Sequence, residues 1–315
     1  YNTSVGYRSL RLNTTGNCNT AVGHVSLFSN TTGLRNTGVG ENSLTTNTTG
    51  NNNTALGWGA MINNTTGCRN TSSGYASLYD NTTGHSNVAN GDLALRNNTT
   101  GDYNVAIGVC SLFAAETANN NIALGAFAMC CNTTGEDNTA LGRSSLQANT
   151  TGHKNTAVGR ASLVENTTGT GNTASGYRGM FGNTTGSCNT ASGYRSLHAN
   201  TTASQNAAFG ACAMNLNTTG DKDAAVGYSA LVQNTTGSCN VAMGDHAMNK
   251  NTTGHSNIAI GRQALACNTT AAYNTVVGAC AMYCNTTTGQ AAVAIGFRAM
   301  HNNTTGSCNT AVGFC

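Results

Sequence analysis

One unit of seventeen residues, typified by Asn19-Thr-Ala-Val-Gly-His-Val-Ser-Leu-Phe-Ser-Asn-Thr-Thr-Gly-Leu-Arg35, recurs along almost the whole chain. Its opening Asn returns at that spacing from Asn2 to Asn274 without a slip, with Asp223 standing in once. One extra residue enters near Thr288, so the next copy opens at Ala292 and a partial copy at Asn309. A period this strict signals repeat architecture, in which each unit buries its core against its neighbours. Residues 1–315 therefore read as a single continuous array of 18 complete repeats plus a partial one. Both termini fall inside a repeat and neither looks like a polar cap, which we read as a segment of a longer chain.

Counting each copy from its first Asn, position 2 is mostly Thr, Val or Ile, and position 4 is usually Val, Leu or Ile. With Ala between them, as in Asn104-Val-Ala-Ile-Gly108, they specify a short strand with one face buried. Position 5 is Gly in every copy, suited to a corner of positive φ or close backbone approach. Position 9 is Leu or Met in all eighteen complete copies and follows a Ser, Ala or Gly, making it a second inward anchor. Asn-Thr-Thr-Gly then supplies a turn. So much Gly, Asn and Thr defeats a helical repeat. The chain is expected to be all-β, a parallel β-solenoid with one 17-residue repeat per coil. Coils roughly 4.8 Å apart would make a rod roughly 85 Å long.

Asn-Val-Ala-Ile-Gly resembles the core of the head repeats of YadA-type trimeric adhesins, and the longer unit is similar to arrays in bacterial surface and tail-fibre-like proteins. The resemblance implies a left-handed parallel β-roll and raises a trimeric host-binding adhesin, or a virus or phage tail-fibre shaft, as the alternative function.

Position 12 spells an N-linked glycosylation sequon, Asn-Thr-Thr. It falls at Asn13, Asn30, Asn47, Asn64, Asn81, Asn98, Asn132, Asn149, Asn166, Asn183, Asn200, Asn217, Asn234, Asn251, Asn268, Asn285 and Asn303, in 17 of the 18 complete copies. The seventh copy carries Ala114-Ala-Glu-Thr-Ala118 instead. Charged residues are only 8% of the chain, so a glycan ladder at an exposed turn would keep the array soluble. Position 1 is expected to be structural, its side-chain amides stacking coil on coil.

The 13 cysteines cluster by repeat position, and in-register neighbours fall within the Cα range of a disulfide. Cys267 with Cys284 is one such pair, and Cys280 with Cys284, or Cys110 with Cys130 or Cys131, are further candidates in an oxidising compartment. No CxxC pair, clustered His or repeated acid pair points to a metal or a catalytic centre, so no enzyme and no cofactor are expected beyond covalent N-linked glycans. The net charge of +3 has no basic stripe for nucleic acid, and no apolar run would span a membrane as a helix. Tyr7-Arg8, Tyr177-Arg178 and Tyr194-Arg195 offer a stacking surface for carbohydrate. These features predict a structural component of an extracellular filament or cell- or virion-surface appendage that self-associates into a filament or homo-oligomer. Ice binding is a weaker reading, because the Thr-Thr turn is not an evenly spaced Thr-x-Thr array.

Overall fold

The computed structural model describes residues 1–285 and 289–314. The extra residue near Thr288 and Cys315 lie outside the described residues. Nineteen three-residue strands run from β1 (Thr3–Val5) to β19 (Thr310–Val312), one per repeat, and no helix occurs among the described residues. The chain forms a parallel β-solenoid. Its contacts divide into two compact units, residues 1–155 and 156–315. The first holds β1 to β9 (Thr139–Leu141) and the second β10 (Thr156–Val158) to β19. Within each unit every strand pairs in parallel with the next, in a register such as Thr3↔Thr20 or Thr156↔Thr173, so each residue stacks on its own repeat position.

The strand's buried face is its middle residue. Ala21, Ala55, Ala106, Ala157, Ala208 and Ala259 are fully enclosed, while positions 2 and 4 lie outside or at the rim. This corrects the β-branched pair as an inward anchor. The lumen is filled from the opposite wall by the position 9 side chains, Leu27, Leu44 and Met61 among them, each with no solvent exposure. Position 3 is mostly Ala, and Val276 takes the same enclosed place in its coil. Where position 3 is Gly38, an added Cβ would already press on the hydroxyls of Ser26 and Ser43, with the Leu27 Cγ 3.5 Å away.

The corner after the strand depends on Gly at position 5, with φ of 128° at Gly40 and 132° at Gly227. A side chain there would also strike the carbonyl of the same Gly one coil on. The following segment is less expected. Positions 7, 9 and 17 are left-handed in almost every coil although most are not Gly, as at Val25 (φ 49°), Leu27 (φ 49°) and Arg35 (φ 55°). The alternation lets this segment pair between coils as well: the Val25 N–H donates to the Tyr7 carbonyl at 2.9 Å, and the Leu27 N–H to the Ser43 carbonyl at 3.0 Å. Each left-handed L-residue costs roughly 1–2 kcal/mol. Intercoil hydrogen bonds and the buried Leu or Met offset that cost.

Candidate functional site

The two conserved-looking Asn positions of the unit turn out to close the coil from inside. At position 1, the Asn70 Nδ2 donates to the Gly84 carbonyl at 2.8 Å, tying the start of the coil to its end. The Asn70 Oδ1 accepts the backbone N–H of Asn87 at 2.9 Å. The amide-on-amide ladder expected at position 1 is instead built chiefly at position 12. There the Asn64 Nδ2 donates to the Asn47 Oδ1 at 2.7 Å and to the Gly67 carbonyl at 3.1 Å. The Asn64 Oδ1 in turn accepts from the Asn81 Nδ2 at 2.8 Å.

The exposure expected of the sequon Asn at these turns is not met. Asn30, Asn47, Asn64, Asn81, Asn98, Asn132, Asn149, Asn166, Asn183, Asn200, Asn217, Asn234, Asn251, Asn268 and Asn285 are all fully buried. The nitrogen that would carry the sugar is the ladder donor, and the folded coil has no space for a glycan on it. Asn13 and Asn303, in the outermost coils, are half-buried and still donate to Gly16 and Gly306. The exposed residue of the turn is the second Thr, such as Thr32 or Thr49. The first Thr is structural: the Thr48 hydroxyl donates to the Thr65 carbonyl at 3.1 Å. The Gly that follows packs tightly, since a Cβ at Gly33 would press on the Asn30 Oδ1 and the Gly50 carbonyl, although Ala203 and Ala271 take the same position in their coils.

All twelve described cysteines are free, including Cys110, Cys130, Cys131, Cys267, Cys280 and Cys284. Burial, reinforced by the neighbouring Cys131 and Cys110 thiols, pushes the Cys130 thiol up to about 11, which keeps it protonated at neutral pH. Among the described residues no group of three or more His, Cys, Asp and Glu side chains is placed to hold a metal ion. A concavity of about 710 Å³ lies over the last coils, against Arg298, Met300, His301 and Asn303.

What faces outward is therefore of greater interest than any cavity. Along the second unit, β13 (Ala207–Phe209) through β18 (Val293–Ile295) present Phe209, Val226, Met243, Ile258, Ile260 and Ile295 to solvent, each about two-fifths exposed. No charged residue interrupts positions 2 and 4 of these strands. Sequence reasoning assigned this row to the core. The signal that would have identified it was the small residue kept at position 3, facing a large one at position 9. Next to the row, positions 6, 7 and 10 carry aromatic rings stacked coil on coil, such as Trp58 on Tyr75 (4.9 Å) in the first unit and Tyr177 on Tyr194 (5.7 Å) in the second. Among the described residues no helix is long and apolar enough to cross a membrane. No family model matches the chain, and no curated protein is similar to it.

Proposed function

We propose that this chain is a structural component of an extracellular fibre or surface appendage, a repetitive scaffold whose outer strand face associates with further copies. The observation that carries the reading is the uncharged row from Phe209 to Ile295. Contiguous apolar patches beyond a few hundred Å² are uncommon on monomers and mark interaction surfaces. A flat face repeating every coil is matched in spacing by the same face of a second copy. The internal roles of Asn and Thr support a scaffold too, since the polar groups of each coil are largely consumed in holding the next.

The test is sedimentation velocity over a range of concentrations, comparing the wild-type chain with Val226→Lys/Met243→Lys/Ile260→Lys. These side chains point outward, so the variant should keep its β-rich circular dichroism. Wild type should form oligomers or filaments at micromolar concentration, and the variant should sediment as a monomer. A wild-type chain that remains monomeric throughout contradicts the proposal. A trimer resolved by the same measurement would favour the adhesin or fibre-shaft alternative.

A further inference from the structure

The second unit gathers three arginines on one outer corner, in three consecutive coils. Arg160 occupies position 6 of its coil, and Arg178 and Arg195 occupy position 7 of the next two. Their backbones are stapled together: the Arg178 N–H donates to the Arg160 carbonyl at 3.2 Å, and the Arg195 N–H to the Tyr177 carbonyl at 3.0 Å. The guanidinium groups of Arg160 and Arg178 lie over the Tyr177 ring at 6.0 and 5.5 Å, and Arg178 also lies 5.1 Å from the Phe181 ring. Tyr194 stacks on Tyr177, and His198 stacks on Phe181 at 5.3 Å.

This cluster lacks a counter-charge. Residues 155–205 contain one acid, Glu165, and none of the three arginines forms an ion pair among the described residues. The Arg195 Nε and the His198 Nε2 are enclosed with no hydrogen-bond partner. Burial, then Arg195 and Arg178, holds the His198 imidazole below its ordinary value, consistent with positive charge crowded at this corner. The adjoining strands also differ from the other strands of the second unit at position 4. β11 (Thr173–Ser175) and β12 (Thr190–Ser192) carry Ser175 and Ser192 where most coils have an apolar residue, Ser73 and Asn90 of the first unit being the other polar cases, and both hydroxyl side chains are exposed. The apolar outer row is thus replaced, beside the arginines, by four hydroxyl-bearing residues.

We infer that this corner, built from Arg160, Arg178, Arg195, Tyr177, Tyr194 and the Ser175/Ser192 face, binds a linear polysaccharide bearing sulfate or carboxylate groups. Guanidinium groups give paired, planar hydrogen bonds to such oxyanions. The coil spacing of roughly 4.8 Å presents one cation per coil. That interval is comparable with the length of one sugar ring, so successive arginines can meet the acidic groups of one extended chain. The serine and threonine hydroxyls and the tyrosine hydroxyls suit sugar hydroxyls. Single-stranded nucleic acid suits the corner less well, because successive bases need free ring faces to stack on. The faces of Tyr177 are already engaged by Tyr194 and by guanidinium groups. The inference goes beyond the scaffold reading and does not depend on self-association.

The experiment uses the full chain carrying the three outward lysine substitutions only if the unsubstituted chain aggregates; otherwise it uses wild type. Binding is measured by calorimetry or biolayer interferometry against a size-defined heparin fragment, polygalacturonate, neutral dextran and a deoxythymidine oligomer. The expected result is salt-sensitive binding to one or both acidic saccharides and none to dextran. Arg160→Gln/Arg178→Gln/Arg195→Gln should weaken that binding at least tenfold. A control with the same loss of charge elsewhere, Lys222→Gln/Arg262→Gln/Arg298→Gln, should change it less than threefold. Equal losses in the two variants, binding unaffected by either, no binding to either acidic saccharide, or tighter binding of the oligonucleotide would each overturn the inference.

Discussion

At the scale of single residues, the repeat reveals its rules where it breaks them. The seventh coil has Ala115 where every other complete coil has Asn at position 12, and Ala115 is fully buried. The ladder stops there, and the Asn98 Oδ1 is left with no donor. Ala115→Asn restores a donor to Asn98 and an acceptor for Asn132. Asn at position 12 sits with Ala at position 15 in Asn200/Ala203 and Asn268/Ala271, so Ala118 does not prevent the repair. The substitution should raise stability by about 1–2 kcal/mol in denaturant titration, the worth of a buried hydrogen bond regained. Asp223 is an exception of the position 1 series, as Ala292 is. It accepts from the Asn240 N–H at 2.7 Å and from the Asn234 Nδ2 at 3.1 Å, but has no amide with which to donate. Burial is the main reason its carboxyl rises from 3.8 to about 7, against the lowering effect of those hydrogen bonds. An acid whose folded value is raised holds its proton more tightly when folded, so stability falls as pH climbs from 3.8 to about 7 and is flat above. The loss is on the order of 4 kcal/mol at most. Asp223→Asn should abolish that slope in melts at pH 4 to 8 and make the protein more stable at pH 8.

At the scale of the strand and its corner, much could be read from sequence and some could not. A three-residue strand, a Gly corner and a tight turn followed from Val, Ile, Gly and Asn alone, and the structure has each. Which strand face is buried did not follow, because period-two patterning marks alternate faces without saying which is inside. The answer depended on lumen width, a property of the whole coil, set by Leu and Met at position 9 against Ala at position 3. The left-handed residues were hidden for a similar reason. Local propensity speaks against Val or Leu in that conformation, and only intercoil pairing sustains them. Val25 is the clearest strain, a β-branched residue at φ 49°. Val25→Gly should therefore stabilise the protein by about 1 kcal/mol, since the relief of strain exceeds the extra chain entropy of Gly. A thermal melt that moves downward would mean that the Val25 side chain contributes more by packing than its backbone costs.

At the scale of the whole molecule, the question is how a chain with so few charges manages its surface. From sequence alone, glycans on the Asn-Thr-Thr turns were the natural answer, because a turn is normally exposed and the motif spells a sequon. In the fold the turn backbone turns the Asn inward as a coil-to-coil ladder and leaves the second Thr outside. The outer strand face of the second unit carries no charge at positions 2 and 4, and the proposed self-association rests on that surface. The direct measurement is the intact mass of the folded, protease-resistant protein secreted from a host that glycosylates Asn-x-Thr. The account predicts that this fraction carries unmodified Asn at Asn30 through Asn285, with any glycan confined to the half-buried Asn13 and Asn303. Native, fully folded protein bearing glycans at interior sites such as Asn64 or Asn149 would contradict it, because those nitrogens would then lie outside the coil.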